Sequence, residues 1–177
     1  MRCPVPLFGA APNFNEDIMD NRLLDEDRVM QICFVTHDLE KSAAWFADLT
    51  GKPLPKPGQA ASPETARAIY HGMPATVGCR LMVFAFGNID VEFLEPGPEP
   101  SAWRDLLEAR GPGCHHIAFK TRNLTERHAY LEGKGHALLQ RGEFDGGHGR
   151  YAYYDTVPDL GVMVELLEFD RDKVSQP

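Results

Sequence analysis

Two histidines, His115 and His116, stand side by side in an otherwise apolar run, Gly113-Cys114-His115-His116-Ile117-Ala118-Phe119. Imidazole binds divalent cations and exchanges protons near neutral pH, so this stretch is where chemistry is expected. Neighbouring side chains of a strand point to opposite faces, which predicts that only one of the pair looks into a shared interior. Two carboxylates have a similarly uncommon setting. Glu92 and Glu165 lie inside the apolar runs Val91-Glu92-Phe93-Leu94-Glu95 and Val164-Glu165-Leu166-Leu167-Glu168. An ionised carboxylate there is costly unless it is paired, hydrogen-bonded or bound to a cation.

The two glutamate runs belong to a repeat that spans most of the chain. Gln31-Ile32-Cys33-Phe34-Val35-Thr36-His37-Asp38-Leu39 lies on His116-Ile117-Ala118-Phe119-Lys120-Thr121-Arg122-Asn123-Leu124, with Ile, Phe, Thr and Leu at the same steps. The alignment selects His116, which falls on Gln31, and assigns His115 a structural task pointing away from the site. If the halves pack about a pseudo-twofold axis, Gln31, Glu92, His116 and Glu165 converge. One amide oxygen, one imidazole and two carboxylates are hard-to-borderline donors, suited to one divalent Zn, Ni, Co, Mn, Fe or Mg ion. Four protein ligands also leave room for water or a bidentate substrate, as a catalytic metal requires. Glu95 and Glu168 have the opposite parity and are expected to face solvent.

The elements that must position these residues form an α+β protein. Its two tandem βαβββ modules make a curved mixed sheet around a central cleft, preceded by an N-terminal extension. Residues 1–28 are an arm rich in Pro, Gly, Asn and Asp, with an acidic amphipathic stretch near 16–27. The domain follows over 29–177, with module one over about 29–99, a connecting helix near 100–111 and module two near 113–169. In module one a strand at 29–36 leads to a helix at 39–49, capped by Asp38 and stopped by Gly51. Trp45, Phe46 and Leu49 are expected in its buried stripe. A loop over 52–63 precedes strands at 66–71, 78–86 and 89–94, the last two joined by Gly87-Asn88. Module two repeats this order: a strand at 114–121, a helix from 124 capped by Asn123, and strands at 136–140, 150–155 and 162–169. Turns are expected at Gly146-Gly147 and Val157-Pro158.

Bulk composition narrows the partners. The chain has 177 residues and a formal net charge of −8, which argues against nucleic acid and anionic membrane surfaces. Pro4 and Pro6 interrupt any signal-peptide helix and no apolar run is long enough to span a bilayer, so a cytoplasmic location is expected. The four cysteines, Cys3, Cys33, Cys79 and Cys114, form no CxxC pair and read as reduced thiols. The expected partner is a small-molecule substrate, and the expected assembly is a homodimer.

Taken together, the opening Gln-Ile-x-Phe-Val-Thr-x-Asp-Leu-Glu-Lys and the motifs Val-Glu-Phe-Leu-Glu-Pro, Gly-x-His-His-Ile-Ala-Phe and Val-Glu-Leu-Leu-Glu resemble the vicinal oxygen chelate superfamily. That group contains glyoxalase I, methylmalonyl-CoA epimerase, extradiol dioxygenases and bleomycin-resistance proteins. The resemblance covers roughly residues 29–169. It implies paired βαβββ modules with a metal held by the first and fourth strands of each, here Gln31, Glu92, His116 and Glu165. The wording of 91–96 and 114–119 looks more like the methylmalonyl-CoA epimerase branch. That branch has a Glu base before the glycine opening its third strand, whereas Met73-Pro74-Ala75-Thr76-Val77-Gly78 has no carboxylate. Extradiol dioxygenases place a histidine where Gln31 stands.

The expected activity is divalent-metal-dependent proton transfer next to a carbonyl, as an epimerase or isomerase or as a glyoxalase-type lyase. Glu165 is the expected base and Glu92 its mirror partner. His148 and Arg150, in the loop over 143–150, and Tyr153 beyond it are candidate substrate contacts. A metal-free small-molecule binding or resistance protein is the alternative, and an extradiol-type dioxygenase is a more distant one.

Overall fold

The computed structural model describes residues 28–59, 63–144 and 146–171. Apart from Arg28, the expected N-terminal arm with its acidic amphipathic stretch lies outside the described residues, as does the tail beyond 171. The first half runs β1 (Val29–Val35), α1 (Leu39–Thr50), β2 (Gly58–Gln59), α2 (Pro63–Ala66), β3 (Ile69–Tyr70), β4 (Met73–Pro74), β5 (Cys79–Ala85) and β6 (Asp90–Pro96). Helix α3 (Ala102–Arg110) leads into β7 (Gly113–Thr121), α4 (Leu124–Gly133), β8 (Leu138–Glu143), β9 (Gly149–Tyr154), α5 (Val157–Leu160) and β10 (Met163–Phe169).

The strands form one ten-stranded mixed sheet in the order β2-β5-β6-β1-β7-β10-β9-β8-β3-β4. Read outward from the antiparallel β1–β7 seam, one module gives β1-β6-β5-β2 and the other β7-β10-β9-β8, which is the same order. In both, the first and last strands pair in parallel and the remaining pairs are antiparallel. The expected pair of βαβββ modules is therefore present.

Local signals explain the helices. Asp38 accepts from Lys41 N at 3.0 Å to start α1, and Gly51, at φ 67°, ends it. Ser101 and Asn123 cap α3 and α4 through Arg104 N and Glu126 N, both at 3.2 Å. Helix α1 covers the outer face of module one, packing Leu39 and Ala43 against Met82, Phe84 and Phe93. Helix α4 covers the outer face of module two, where Leu131 meets Ala152, Tyr154, Val164 and Leu166. Helix α3 instead packs inside the curve, where Trp103, Leu106 and Leu107 join Cys33, Val35, Ala118 and Tyr153.

Several expectations are corrected. In α1, Phe46 is packed, but Trp45 and Leu49 are 65% and 64% exposed; the inner stripe is Leu39, Ala43, Phe46 and Ala47. The strand expected at 66–71 is replaced by the end of α2 and a short β3–β4 hairpin. That hairpin leaves its own module and pairs with β8 of the other. The second strand of module one is β2, inside the stretch read as a loop, and it pairs with β5. It stays two residues long because Pro53, Pro55 and Pro57 precede it and offer no N–H to a ladder. Val157-Pro158 opens a short helix, α5, rather than a turn.

Glu95 and Glu168 do not simply face solvent either. Glu95 Oε2 accepts from Leu39 N at 2.8 Å, and Glu168 Oε1 accepts from Leu124 N at 3.3 Å. Each last strand therefore supplies a carboxylate to the positive end of its module's helix, where free N–H groups and the helix dipole favour negative charge. Glu168 is 5% exposed and also pairs with Arg150. Urea unfolding should show Glu95→Ala destabilised by about 1 kcal/mol and Glu168→Ala by about 2 kcal/mol, the latter losing a charged acceptor in a buried setting.

Candidate metal centre and active site

The repeat reappears as register. Cys33 is the Cα partner of Glu92 in module one, and Ala118 is the partner of Glu165 in module two. Gln31 and His116 stand two residues before these partners, on the same faces of β1 and β7. The four residues do converge. Gln31 Nε2 donates to Glu92 Oε2 at 2.8 Å, which leaves Gln31 Oε1 as the atom a cation would use. His116 Nε2 lies 3.1 Å from Glu165 Oε2, with the two side chains 1% and 5% exposed. Neither of these atoms has a hydrogen-bond partner beyond the other.

His115 departs from expectation. Across the seam, Cys33 opposes His116 while the next residue, Phe34, opposes Cys114, so His115 is the extra residue of a β-bulge. The bulge breaks strict alternation and turns both rings inward. His115 is fully buried, with its ring 5.2 Å from that of His116 and 5.3 Å from that of Tyr153. Its Nε2 is 3.1 Å from the Ala102 carbonyl, which can only accept, so the proton sits on Nε2. Burial first, and then the neighbouring His116, lowers its pKa to about 3 against the pull of the Ala102 carbonyl, so the ring is neutral. Its Nδ1 must then accept from His116 Nδ1, 2.9 Å away. The chain of bonds therefore assigns the Nδ1 proton of His116 and leaves Nε2 facing the two glutamates. Ala102 is fixed on its other side too, because its N–H donates to Gln140 Oε1 at 2.9 Å.

Charge dominates the electrostatics. Burial raises the pKa of Glu92 above the ordinary carboxylate value against the attraction of His116, and Glu165 adds to the rise; hydrogen bonds from Cys33 and Gln31 oppose it. Burial opposes charge on His116, but Glu165 and then Glu92 outweigh it, so its pKa stands above that of free imidazole. Two carboxylates with one imidazole are net negative even with His116 protonated. A divalent cation would meet that imbalance and could take the place of the imidazole proton between His116 Nε2 and Glu165 Oε2, which have only each other as partner. The residues present thus fit the metal that the repeat suggests.

One candidate ligand was not anticipated. Cys33 Sγ, a Glu92 oxygen and a His116 ring nitrogen all lie within 4.8 Å of one another. The thiol hydrogen-bonds to Glu92, and burial, then Glu92, pushes its pKa well above the usual thiol value. The available signal was parity: Cys33 follows Gln31 by two residues and so shares its face.

These groups sit at the edge of a cavity of about 360 Å³ on the concave side, lined in part by Gln31, Glu92, Tyr153 and Glu165. Trp103, Phe144, Tyr151 and Phe169 give it an aromatic wall. Gly142 makes room for that wall, since a Cβ there would meet the Tyr151 hydroxyl at 2.7 Å. Burial, then Glu165, raises the Tyr153 pKa well above that of free tyrosine, so its hydroxyl keeps its proton. Tyr153 thus lines the cavity, but the other two substrate candidates do not. Arg150 has the opposite parity on β9 and pairs with Glu168 and, at 2.7 Å, with Asp170. His148 is exposed on the turn between β8 and β9.

Comparison with known proteins places this geometry. The glyoxalase/bleomycin resistance protein/dioxygenase superfamily matches residues 30–154, and the chain belongs to that superfamily. An uncharacterised protein, YqjC of Bacillus subtilis (strain 168), is 34% identical over 91 residues; the match covers 51% of this chain and 65% of the relative, just under two thirds of its length. The fold is similar to that of methylmalonyl-CoA epimerase from Mycobacterium tuberculosis (TM-score 0.56, 17% identity, 80% of this chain and 87% of that one). It is also similar to a Streptomyces coelicolor methylmalonyl-CoA epimerase variant in complex with 2-nitronate-propionyl-CoA (TM-score 0.55, 22% identity, 80% and 96%). Among the described residues no helix is long and apolar enough to cross a membrane.

The hydrogen-bond chain through His115 makes a direct prediction. Nitrogen-15 NMR of the histidine rings should show His115 neutral and protonated on Nε2 throughout pH 5 to 8, with no titration step. A His115 ring that titrates near the free imidazole value, about 6.5, would overturn the assigned tautomer.

Proposed function

We propose that this protein is a divalent-metal-dependent enzyme that moves a proton next to a carbonyl in a small oxygen-chelating substrate, as an epimerase or isomerase or as a glyoxalase-type lyase. The observation that carries the reading is the buried pair His116 Nε2 and Glu165 Oε2, 3.1 Å apart and with no other partner, beside Glu92 at the edge of an aromatic cavity. Gln31, Glu92, His116 and Glu165 would hold the ion, with Cys33 close behind. Zn, Ni, Co, Mn, Fe and Mg all suit the oxygen and nitrogen donors, and a thiol contact would favour the softer of them. When bound, such an ion supplies Lewis-acid stabilisation of the negative charge that builds on a substrate oxygen.

The chain's own residues do the rest. Glu165 Oε2, whose one partner is the His116 ring, is the base that accepts the proton from carbon. Glu92, its counterpart in the other module, approaches from the other side of the pseudo-twofold axis and can deliver a proton to the opposite face. Burial, resisted by His116, raises its pKa, which makes it a stronger base toward a substrate proton. Tyr153 offers a hydroxyl that stays protonated, and the aromatic wall limits water around the reacting carbon.

Proton exchange tests the assignment. With metal loaded, Glu165→Gln should slow solvent-deuterium incorporation into an accepted substrate by about 10²–10⁴-fold, and unchanged exchange would refute Glu165 as base. His116→Ala should lose the bound metal in elemental analysis. The aromatic wall also suits a metal-free binding protein that sequesters a small aromatic ligand. Purified protein that retains no divalent ion, and exchanges no substrate proton after Co or Ni addition, would favour that second reading. The proposal includes a homodimer, which sedimentation equilibrium would test.

A further inference from the structure

We propose that the substrate of this cavity is a small, uncharged, partly aromatic or alicyclic α-hydroxycarbonyl compound, and that anionic acyl-CoA or phosphorylated compounds are selected against. The inference rests on the metal-site reading above and concerns what the rest of the cavity recognises.

Charge decides the class. The described residues lining the cavity include four carboxylates, Asp90, Glu92, Glu143 and Glu165, and no lysine or arginine. A divalent ion held with Glu92 and Glu165 offsets those two alone. Asp90 and Glu143 are left, at the start of β6 and the end of β8. Among the described residues Glu143 pairs with Arg67, whose Nη1 is 3.5 Å away. The Arg67 side chain is 75% exposed and does not line the cavity, so water screens that pair. Phosphate and carboxylate groups are ordinarily held by arginine forks, lysine or backbone N–H nests. Here an anionic tail would meet carboxylates instead. Three arginines adjoin lining residues in sequence and each is engaged elsewhere: Arg80 with Glu40 and Glu95, Arg104 with the Pro96 and Gly97 carbonyls, and Arg150 with Glu168 and Asp170.

Size and surface point the same way. A volume of about 360 Å³ lies near the lower end for ligand pockets and suits a compact molecule. The rest of the lining includes Trp103, Phe144, Tyr151 and Phe169 with Leu81 and Leu167, which reward an apolar ring rather than a polar chain. One end of the ligand therefore needs two neighbouring oxygens, and the other needs carbon and no negative charge.

The test is calorimetric, on the full chain loaded with Co(II). The probes are 2-hydroxyacetophenone, its 4-carboxylate, which keeps the same hydroxyketone end, and methylmalonyl-CoA. The neutral ketone should bind at least tenfold tighter than its carboxylate, and methylmalonyl-CoA should bind no better than the carboxylate. The double substitution Asp90→Asn with Glu143→Gln, its fold checked by circular dichroism, should reduce that preference at least threefold. Equal or tighter binding of the carboxylate or of methylmalonyl-CoA, no binding of the neutral ketone, or an unchanged preference in the variant would each overturn the proposal. Metal content measured on the same samples separates the two levels. Protein that holds cobalt without discriminating sinks only the charge argument, whereas protein that holds none sinks the proposed function.

Discussion

Two carboxylates are buried on facing strands, and much of the interior is arranged around that fact. Glu92 and Glu165 are 8% and 3% exposed, and each is fixed by the parallel pairing of the first and last strands of its module. A buried carboxylate without compensation would be several kcal/mol unfavourable. The compensation here is unequal. Glu92 receives hydrogen bonds from Gln31 and Cys33, whereas Glu165 Oε2 has only the His116 ring nitrogen beside it. The scaffold is symmetric, but the donor set is not, and the asymmetry separates a better-satisfied carboxylate from one still free to react.

The β-bulge at His115 is what makes the imidazole specific. Without the extra residue, alternation would send His115 outward and leave His116 Nδ1 facing an apolar wall. With it, the order Gln140, Ala102, His115, His116 becomes a continuous hydrogen-bonded path from β8 through the first residue of α3 to the site. That path explains why α3 lies inside the curved sheet while α1 and α4 lie outside it. The Ala102 N–H would be orphaned at a helix N-terminus in a buried position, and Gln140 of the second module satisfies it, while His115 adds a donor to the Ala102 carbonyl. Packing of the connecting helix and orientation of the histidine are one arrangement.

How legible this was in the sequence depended on what could be read from repetition. Gln31, Glu92, His116 and Glu165 stand out because equal positions in two modules carry unusual polar residues, and pseudo-symmetry places equal positions together. Cys33 had no such echo, since its counterpart is Ala118, and it passed as an ordinary buried thiol. His115 was misjudged because a bulge leaves no mark in a one-dimensional pattern; it exists only in the pairing of β7 with β1. Arg150 was misread because the parity of β9, set by Tyr151 and Tyr153 inward, became visible only once the sheet was assembled. The loop over 52–63 hid β2 because prolines cut the strand to a length with no periodicity to read. Glu95 and Glu168 show the converse: their parity was right, but facing away from the cleft put them at helix ends rather than in water.

Register ties these observations together. β1 and β7 are the strands that join the modules, and Gln31, Cys33 and His116 look into the interior only in the observed pairing. A slip of one residue would turn each of them to the outer face, under α1 or α4, and bring Ile32 and Ile117 inward. That alternative would bury polar groups against the hydrophobic sides of two helices and leave both glutamates without a partner. The seam therefore cannot move without loss on both faces of the sheet at once. The same constraint that makes the two modules one domain also holds the imidazole over the carboxylates, so the geometry of the site is as firmly specified as the fold.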